Sequence, residues 1–304
     1  MELRQMRKEK TEDSMENRIT GHTKLYCLIG SPVGHSGSPA MHNYSFERTG
    51  TDAAYLAFDV PLENLEEGVK ALRTLKAGGF NVTMPDKTAV TQYLDEVTPA
   101  AKLIGACNTV TADENGKLTG HNTDGIGFVR NLKENGISVE GQKIVLLGAG
   151  GAATAIAVQT ALDGASEIHI FNLDDEFYTN AELTCKKITE AVPGCKVTVE
   201  KLENQDALKA AIEDCTMLVN ATKVGMAPLD GQTLIAPELL RKDLVVADTV
   251  YNPRKTQLIL DAEEAGCKAA VGGIGMLLWQ GAEAFHLYTG KEMPTQEVLE
   301  KFFS

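Results

Sequence analysis

Long apolar runs are missing from this chain: none approaches the roughly 20 residues that a membrane-spanning helix needs. The first 22 residues are charged and hold no apolar core, so they read as an extension or a short frayed helix rather than a signal peptide. Positive charge is in deficit, with 29 Lys and Arg against 42 Asp and Glu, a net −13. Binding a polyphosphate backbone needs a basic face, so nucleic acid is disfavoured as a partner, and an anionic membrane surface with it. A small acidic molecule is not excluded, because local donors can hold it without a global field. None of the six cysteines (Cys27, Cys107, Cys185, Cys195, Cys215, Cys267) forms a C-x-x-C pair, and no Cys/His cluster has zinc spacing. Reduced, mostly buried thiols and no metal site are therefore expected. Together these absences predict a cytoplasmic protein.

What is present is an alternation of short apolar runs and helical patterns across 304 residues, enough for two domains. Leu25–Ile29 reads as a buried strand ending at Gly30, Ala40–Arg48 as a helix and Ala54–Val60 as a strand. Leu62, Leu65, Val69 and Leu72 recur at helical spacing. Phe80–Thr83, Ala106–Ala112 and Lys117–His121 read as strands, the last two around an Asp-Glu-Asn-Gly turn, with a short helix over Thr98–Leu103. A second series begins at Lys143: strand Ile144–Leu147, an Ala-rich helix Ala152–Leu162, strand Glu167–Phe171, then strands at Lys196–Val199, Met217–Val219 and Leu244–Val246. Helices over Gly275–Tyr288 and Thr295–Phe303 close the chain. Such alternation predicts an α/β protein with parallel sheets covered by helices.

Gly148-Ala149-Gly150-Gly151-Ala152-Ala153 fits G-x-G-x-x-[GA] directly between the apolar strand and the Ala-rich helix. Gly148 permits a tight turn, Gly150 lets backbone approach a pyrophosphate, and the helix start offers unpaired N–H groups. The context predicts a Rossmann dinucleotide-binding domain; the alternative is a Gly-rich turn that only packs. The following strand leads to Asn172, Asp174 and Asp175. An acid there bonds the adenine-ribose hydroxyls, whereas a cation would receive a 2′-phosphate. The stretch Leu173-Asp174-Asp175-Glu176 holds three carboxylates and no Lys or Arg, so NAD is the expected preference, with NADP possible as second choice. The alternative is that these acids simply suit a helix start.

Other motifs are more specific. Gly30-Ser31-Pro32-Val33-Gly34-His35-Ser36-Gly37-Ser38-Pro39 with His42-Asn43, then Asn81-Val82-Thr83-Met84-Pro85-Asp86-Lys87, Gly105-Ala106-Cys107-Asn108-Thr109 and Asn122-Thr123-Asp124-Gly125 come in order. Asn220-Ala221-Thr222, Val224-Gly225-Met226, Val250-Tyr251-Asn252-Pro253 and Gly275-Met276-Leu277-Leu278-Trp279-Gln280 follow. The set resembles the shikimate/quinate dehydrogenase family from about Lys24 onward. It is most similar to the branch acting on quinate as well as shikimate, through Ala54–Phe58, Lys223 and Asp174–Phe177.

The resemblance implies an oxidoreductase moving a hydride between NAD(P) and a hydroxylated ring carboxylate, within aromatic amino acid biosynthesis or quinate use. It implies an N-terminal α/β substrate domain (23–124 and 274–304) and a Rossmann domain (125–273). Ser36 and Ser38 would donate to the substrate carboxylate, with Tyr55 a third donor; a capping turn before the first helix is the plain alternative for these serines. Thr83, Asn108 and Gln280 would bond ring hydroxyls, although Asn108 and Asn122 equally suit turns. Lys87 and Asp124 would form a proton shuttle. Lys223, Thr249, Val250, Tyr251, Asn252 and Gly273 would line the nicotinamide end, with Tyr251 reaching the substrate; His35 and His42 read as structural. Asp86 departs from the family pattern, and either perturbs Lys87 or points to solvent. The chain also replaces Asn-Arg-Thr by Asn172-Leu173-Asp174, and places apolar Ile274 where a polar or aromatic residue is usual.

Two rivals stand beside this reading. A methylene-tetrahydrofolate dehydrogenase shares the plan but needs a large aromatic-lined pocket, against which the Ser36/Ser38 motif argues. A non-catalytic NAD-binding regulatory protein would need no Lys87–Asp124 shuttle. The partners expected are small molecules alone, with a homodimer compatible.

Overall fold

The structure is a computed structural model that describes residues 19–303. Of the extension expected over residues 1–22, all but residues 19–22 lie outside the described residues, and those four are exposed. The chain groups into two compact units: one holds the chain up to Glu96, Thr109–Thr119 and Phe285 onward, the other Val97–Asn108 and Gly120–Ala284. No described helix is long and apolar enough to cross a membrane.

The first sheet comprises β1 (Lys24–Gly30), β2 (Ala53–Asp59), β3 (Gly79–Val82), β4 (Glu96–Val97), β5 (Thr109–Ala112) and β6 (Leu118–His121), in the order β2-β1-β3-β5-β6-β4. β1 runs parallel to β2 and β3, but β3 and β5 are antiparallel. The sheet is mixed, which corrects the expectation of parallel sheets throughout. β5 then turns tightly into β6, where Asp113 Oδ1 accepts from the N–H groups of Asn115 and Lys117, the hairpin turn expected there. The strand expected from Ala106 also starts late, at Thr109, because Asn108 turns its side chain onto Thr123 and Asp124. The helix Leu65–Thr74 buries Leu65, Val69 and Leu72 as their spacing predicts, while Leu62 stays exposed in a preceding 3₁₀ turn.

The core of this unit is unusually aromatic. The helix Ser38–Arg48 buries Met41, His42, Ser45 and Phe46. His42 stacks on Tyr55 with ring centroids 4.4 Å apart, and Phe46, Phe285 and Tyr288 surround it. Offset and tilted ring pairs of this kind add to area burial.

The second sheet comprises β7 (Lys143–Leu147), β8 (Glu167–Asn172), β9 (Lys196–Lys201), β10 (Met217–Asn220), β11 (Val245–Asp248) and β12 (Ala269–Val271), ordered β12-β11-β10-β7-β8-β9 and parallel throughout. Numbered within the unit, that is the 3-2-1-4-5-6 order of dinucleotide-binding folds, with the reversal between β7 and β10. Strand alternation explains why β7 is apolar at every core position. Ile144 and Leu146 belong to one buried cluster, with Phe128, Ile156 and Ile188; Val145 and Leu147 belong to another, with Leu208, Ile212 and Leu258. Both faces of the sheet are covered, so neither can be polar.

Candidate active site

The glycine turn is shaped to receive a group rather than to pack. Gly148 has φ +107°, and a Cβ there would lie 2.9 Å from the Ala221 carbonyl oxygen, so only glycine fits. Ala149 is buried, and the helix Gly151–Leu162 starts after Gly150 with no side-chain cap. A Cβ on Gly150 or Gly151 would meet nothing within 4 Å. With no side-chain cap at this helix start and open space beside both glycines, a pyrophosphate is not sterically barred from the first turn, next to Ala152. Asn180 Nδ2 holds the turn by donating to Ala149 O and to Thr154 Oγ1. No motif pointed to Asn180, since its partners lie about 30 residues upstream, a separation that a local pattern does not span.

At the end of β8 the acids play two different parts. Asn172 is buried and donates to Asp175 Oδ1 at 2.8 Å; the same oxygen accepts from Phe177 N, so Asp175 is fixed at the start of the helix Tyr178–Ala191. Asp174 is exposed and ion-paired, its Oδ2 2.6 Å from Lys201 Nζ. The stretch has no cation in sequence, but the fold supplies one from β9.

In the first unit, the two loops expected to hold substrate are joined through backbone. Ser31 N donates to Met84 O at 3.2 Å and Thr83 N to Ile29 O at 2.9 Å. Gly30, at φ +146°, makes this approach possible, because a Cβ there would collide with Thr83 Cγ2. Ser36, Ser38, Thr83 and Lys87 are all part-exposed. Ser36 Oγ accepts from Ser38 N at 3.2 Å, so it does some of the capping work its sequence allowed. Tyr55 lies elsewhere: it is wholly buried, and its hydroxyl donates to Asn81 Oδ1 at 2.6 Å while Asn81 Nδ2 donates to Thr109 Oγ1. Its visible role is to hold Asn81, two residues before Thr83. Asp86 does not point to solvent; its side chain is buried, neither carboxyl oxygen has a hydrogen-bond partner among the described residues, and burial, with Glu63 nearby, raises its carboxyl above the usual range. His42 is buried too, and burial pushes its imidazole down to about 3, which makes it neutral packing rather than an acid or base. His35 is exposed.

In the second unit, Asp124 opens the helix Asp124–Glu134, where a carboxylate suits the dipole. Asn108 Nδ2 donates to Asp124 Oδ1 at 2.8 Å, and Asn108 Oδ1 accepts from Thr123 N. Asn122 Oδ1 accepts from Asp124 N at 3.0 Å, the local turn anticipated for it. Gly127 brings this helix against the next candidate, since a Cβ there would lie 2.6 Å from Gln280 N. Gln280 itself is part-exposed and donates Nε2 to Leu277 O.

The loops expected at the nicotinamide end share one buried anchor. Asp248 accepts from Asn220 Nδ2, Val250 N and Thr256 Oγ1. Asn220 in turn donates to Val224 O and accepts from Thr222 N. Gly273 is buried, with no room for a Cβ beside Thr249 O and Val250 O. Lys223, Tyr251 and Asn252 remain exposed, and Thr249 is part-exposed. No motif marks Asp248, and that of Asn220 gives no hint of this bond, because the two tie loops 28 residues apart.

The second unit's strand order, glycine turn and strand-end acids define a dinucleotide-binding α/β protein, joined to an N-terminal α/β domain with part-exposed hydroxyls and a lysine. The chain's relatives narrow the class. Residues 28–110 match the shikimate dehydrogenase substrate binding domain, and residues 273–301 the shikimate 5'-dehydrogenase C-terminal domain. A shikimate dehydrogenase (NADP(+)) of Listeria monocytogenes is 48% identical over 96% of this chain and 99% of its own length. A crystal structure of shikimate 5-dehydrogenase from Listeria monocytogenes, with shikimate and NAD, superimposes with TM-score 0.91 at 48% identity, over 94% of this chain and 99% of that one. Quinate dehydrogenase from Corynebacterium glutamicum, with NAD, gives 0.83 at 32% identity, over 92% and 99%. The chain belongs to the shikimate dehydrogenase family. Nothing in these relatives supports a non-catalytic regulatory protein.

Proposed function

We propose that this chain interconverts shikimate and 3-dehydroshikimate with a nicotinamide cofactor, and acts on quinate and 3-dehydroquinate as well, in the cytoplasm. The observation that carries the reading is Asp124, a carboxylate held by Asn108 at 2.8 Å in a chain whose relatives are named for this oxidoreduction. The nicotinamide supplies the hydride acceptor in one direction and the donor in the other. Lys87 takes the hydroxyl proton in oxidation and returns it to the alkoxide in reduction, with Asp124 as the second member of the shuttle. Ser36 and Ser38 hold the substrate carboxylate; Thr83, Asn108 and Gln280, with Tyr251, meet the ring hydroxyls. Tyr55 acts through Asn81. Residues 23–124 and 274–304 serve substrate, and 125–273 serve cofactor through Gly148–Ala152, Asn172, Asp174, Asp175, Lys223, Thr249–Asn252 and Gly273. A homodimer is compatible with these roles.

NAD is preferred in this reading and NADP accepted. Two facts support that order: two acids stand at the strand end, and the matched Listeria structure carries NAD, although curated relatives are named for NADP(+). Initial rates at mildly alkaline pH, with shikimate and quinate each offered NAD and NADP, test the proposal. Turnover of both acids with NAD is expected. Turnover of shikimate with NADP alone would sink the cofactor order and the quinate activity. No turnover in any combination would sink the proposal.

A further inference from the structure

This inference rests on the cofactor reading and deepens it. Lys201 is the last residue of β9, paired in register with Asn172, the last residue of β8. Its ammonium lies 2.6 Å from Asp174 Oδ2 and 5.8 Å from the centre of the Tyr178 ring. Both partners are well exposed, 47% for the Lys201 side chain and 60% for Asp174. Exposed ion pairs open readily, because solvent screens the attraction and two side chains lose freedom in holding it. Asp175 has no such latitude, since Asn172 and Phe177 N fix its Oδ1. One exposed cation thus pairs with one exposed acid where a dinucleotide fold places the adenine ribose.

We infer that Lys201 determines whether a 2′-phosphate is tolerated at this position. With a free 2′-hydroxyl, Lys201 stays on Asp174, whose other oxygen is left to accept from ribose. With a 2′-phosphate, Lys201 turns from Asp174 to the phosphate, and its three donors meet a group carrying about −1.5 to −2 charge at neutral pH. The surrounding carboxylates Asp174, Asp175 and Glu203, the last accepting from Asp174 N at 3.3 Å, outnumber the single ammonium. The phosphorylated cofactor is therefore admitted without being favoured. While the ammonium is paired with Asp174, that carboxylate raises its proton affinity.

The test reads binding directly and needs no turnover. Affinities of 5′-AMP and 2′,5′-ADP are measured by calorimetry for the full chain and for Lys201→Ala, Lys201→Gln and Lys201→Arg. Loss of the cation is expected to weaken 2′,5′-ADP about tenfold and leave 5′-AMP within about twofold, while arginine retains both. Raising salt should weaken 2′,5′-ADP binding to the unaltered chain more than to Lys201→Ala. Asp174→Asn should do the reverse of Lys201→Ala, tightening 2′,5′-ADP. Equal changes for the two nucleotides, or none, overturn the inference while leaving the cofactor site intact. No binding of 5′-AMP to the unaltered chain would instead overturn the cofactor reading on which it rests.

Discussion

Asn108 and Asp124 are joined through their side chains, Nδ2 to Oδ1 at 2.8 Å, and Asn108 also holds Thr123 through Thr123 N at 2.8 Å. The amide therefore fixes both the carboxylate and the residue just before its helix. A hydrogen bond to a charged group contributes about 1.5–3 kcal/mol, a factor of about 10–100 in rate where orientation is what it supplies. Asn108→Ala should lower kcat/KM for shikimate by that range. In an Asp124→Ala background the same change should add little, because the two residues act as one unit. Steady-state rates of the two single variants and the double variant check this; full additivity would separate the two residues.

The glycine turn and the Asp124 motif were legible because each is a contiguous stretch with a local geometric purpose. Lys201 was not, because it meets Asp174 from 27 residues away through strand pairing that a one-dimensional reading does not display. Tyr55 shows the complementary problem. Its motif marks it as a donor, but the hydroxyl turns inward to Asn81 beneath the stacked His42, which is itself packed by Phe285 and Tyr288 from the far end of the chain. The mixed first sheet is hidden for a similar reason: β5 pairs antiparallel with β3 from some 27 residues further along the chain, and the alternation that suggests parallel strands does not show which strand lies beside which.

His42 should dominate acid lability of the first unit. Its imidazole falls from 6.5 to about 3 on burial, and Nδ1 has no partner among the described residues. The folded form binds fewer protons than the unfolded chain between those values. The resulting stability is fully present above pH 6.5 and declines as pH falls towards about 3, by about 1.4 kcal/mol per pH unit. His42→Phe removes this dependence. Urea titrations from pH 7 to 4 should show a shallower loss for the variant; parallel curves would mean that His42 is not the titrating group.

Asp86 presents the opposite sign. Its carboxyl is raised above the unfolded value, so its contribution is fullest at low pH and is lost as pH rises through the folded value. At neutral pH it remains a buried acid with no hydrogen-bond partner among the described residues, and burial opposes its charged form. Asp86→Asn keeps the shape and removes the ionisation. Its midpoint of thermal unfolding should rise at pH 7, by about 2–4 °C per kcal/mol recovered for a chain of this size, and the gain should shrink towards pH 4. A uniform gain at every pH would point to packing rather than charge.

Lys87 lies beside Asp86 in sequence and is part-exposed, which lets it reach a ligand. If it moves the proton, its loss is felt in the transition state more than in binding. Lys87→Ala should therefore lower kcat by about 10²–10⁴-fold while KM for shikimate moves only slightly. Steady-state rates with shikimate check this: raised KM with kcat preserved would make Lys87 a binding residue and remove it as the group that moves the proton.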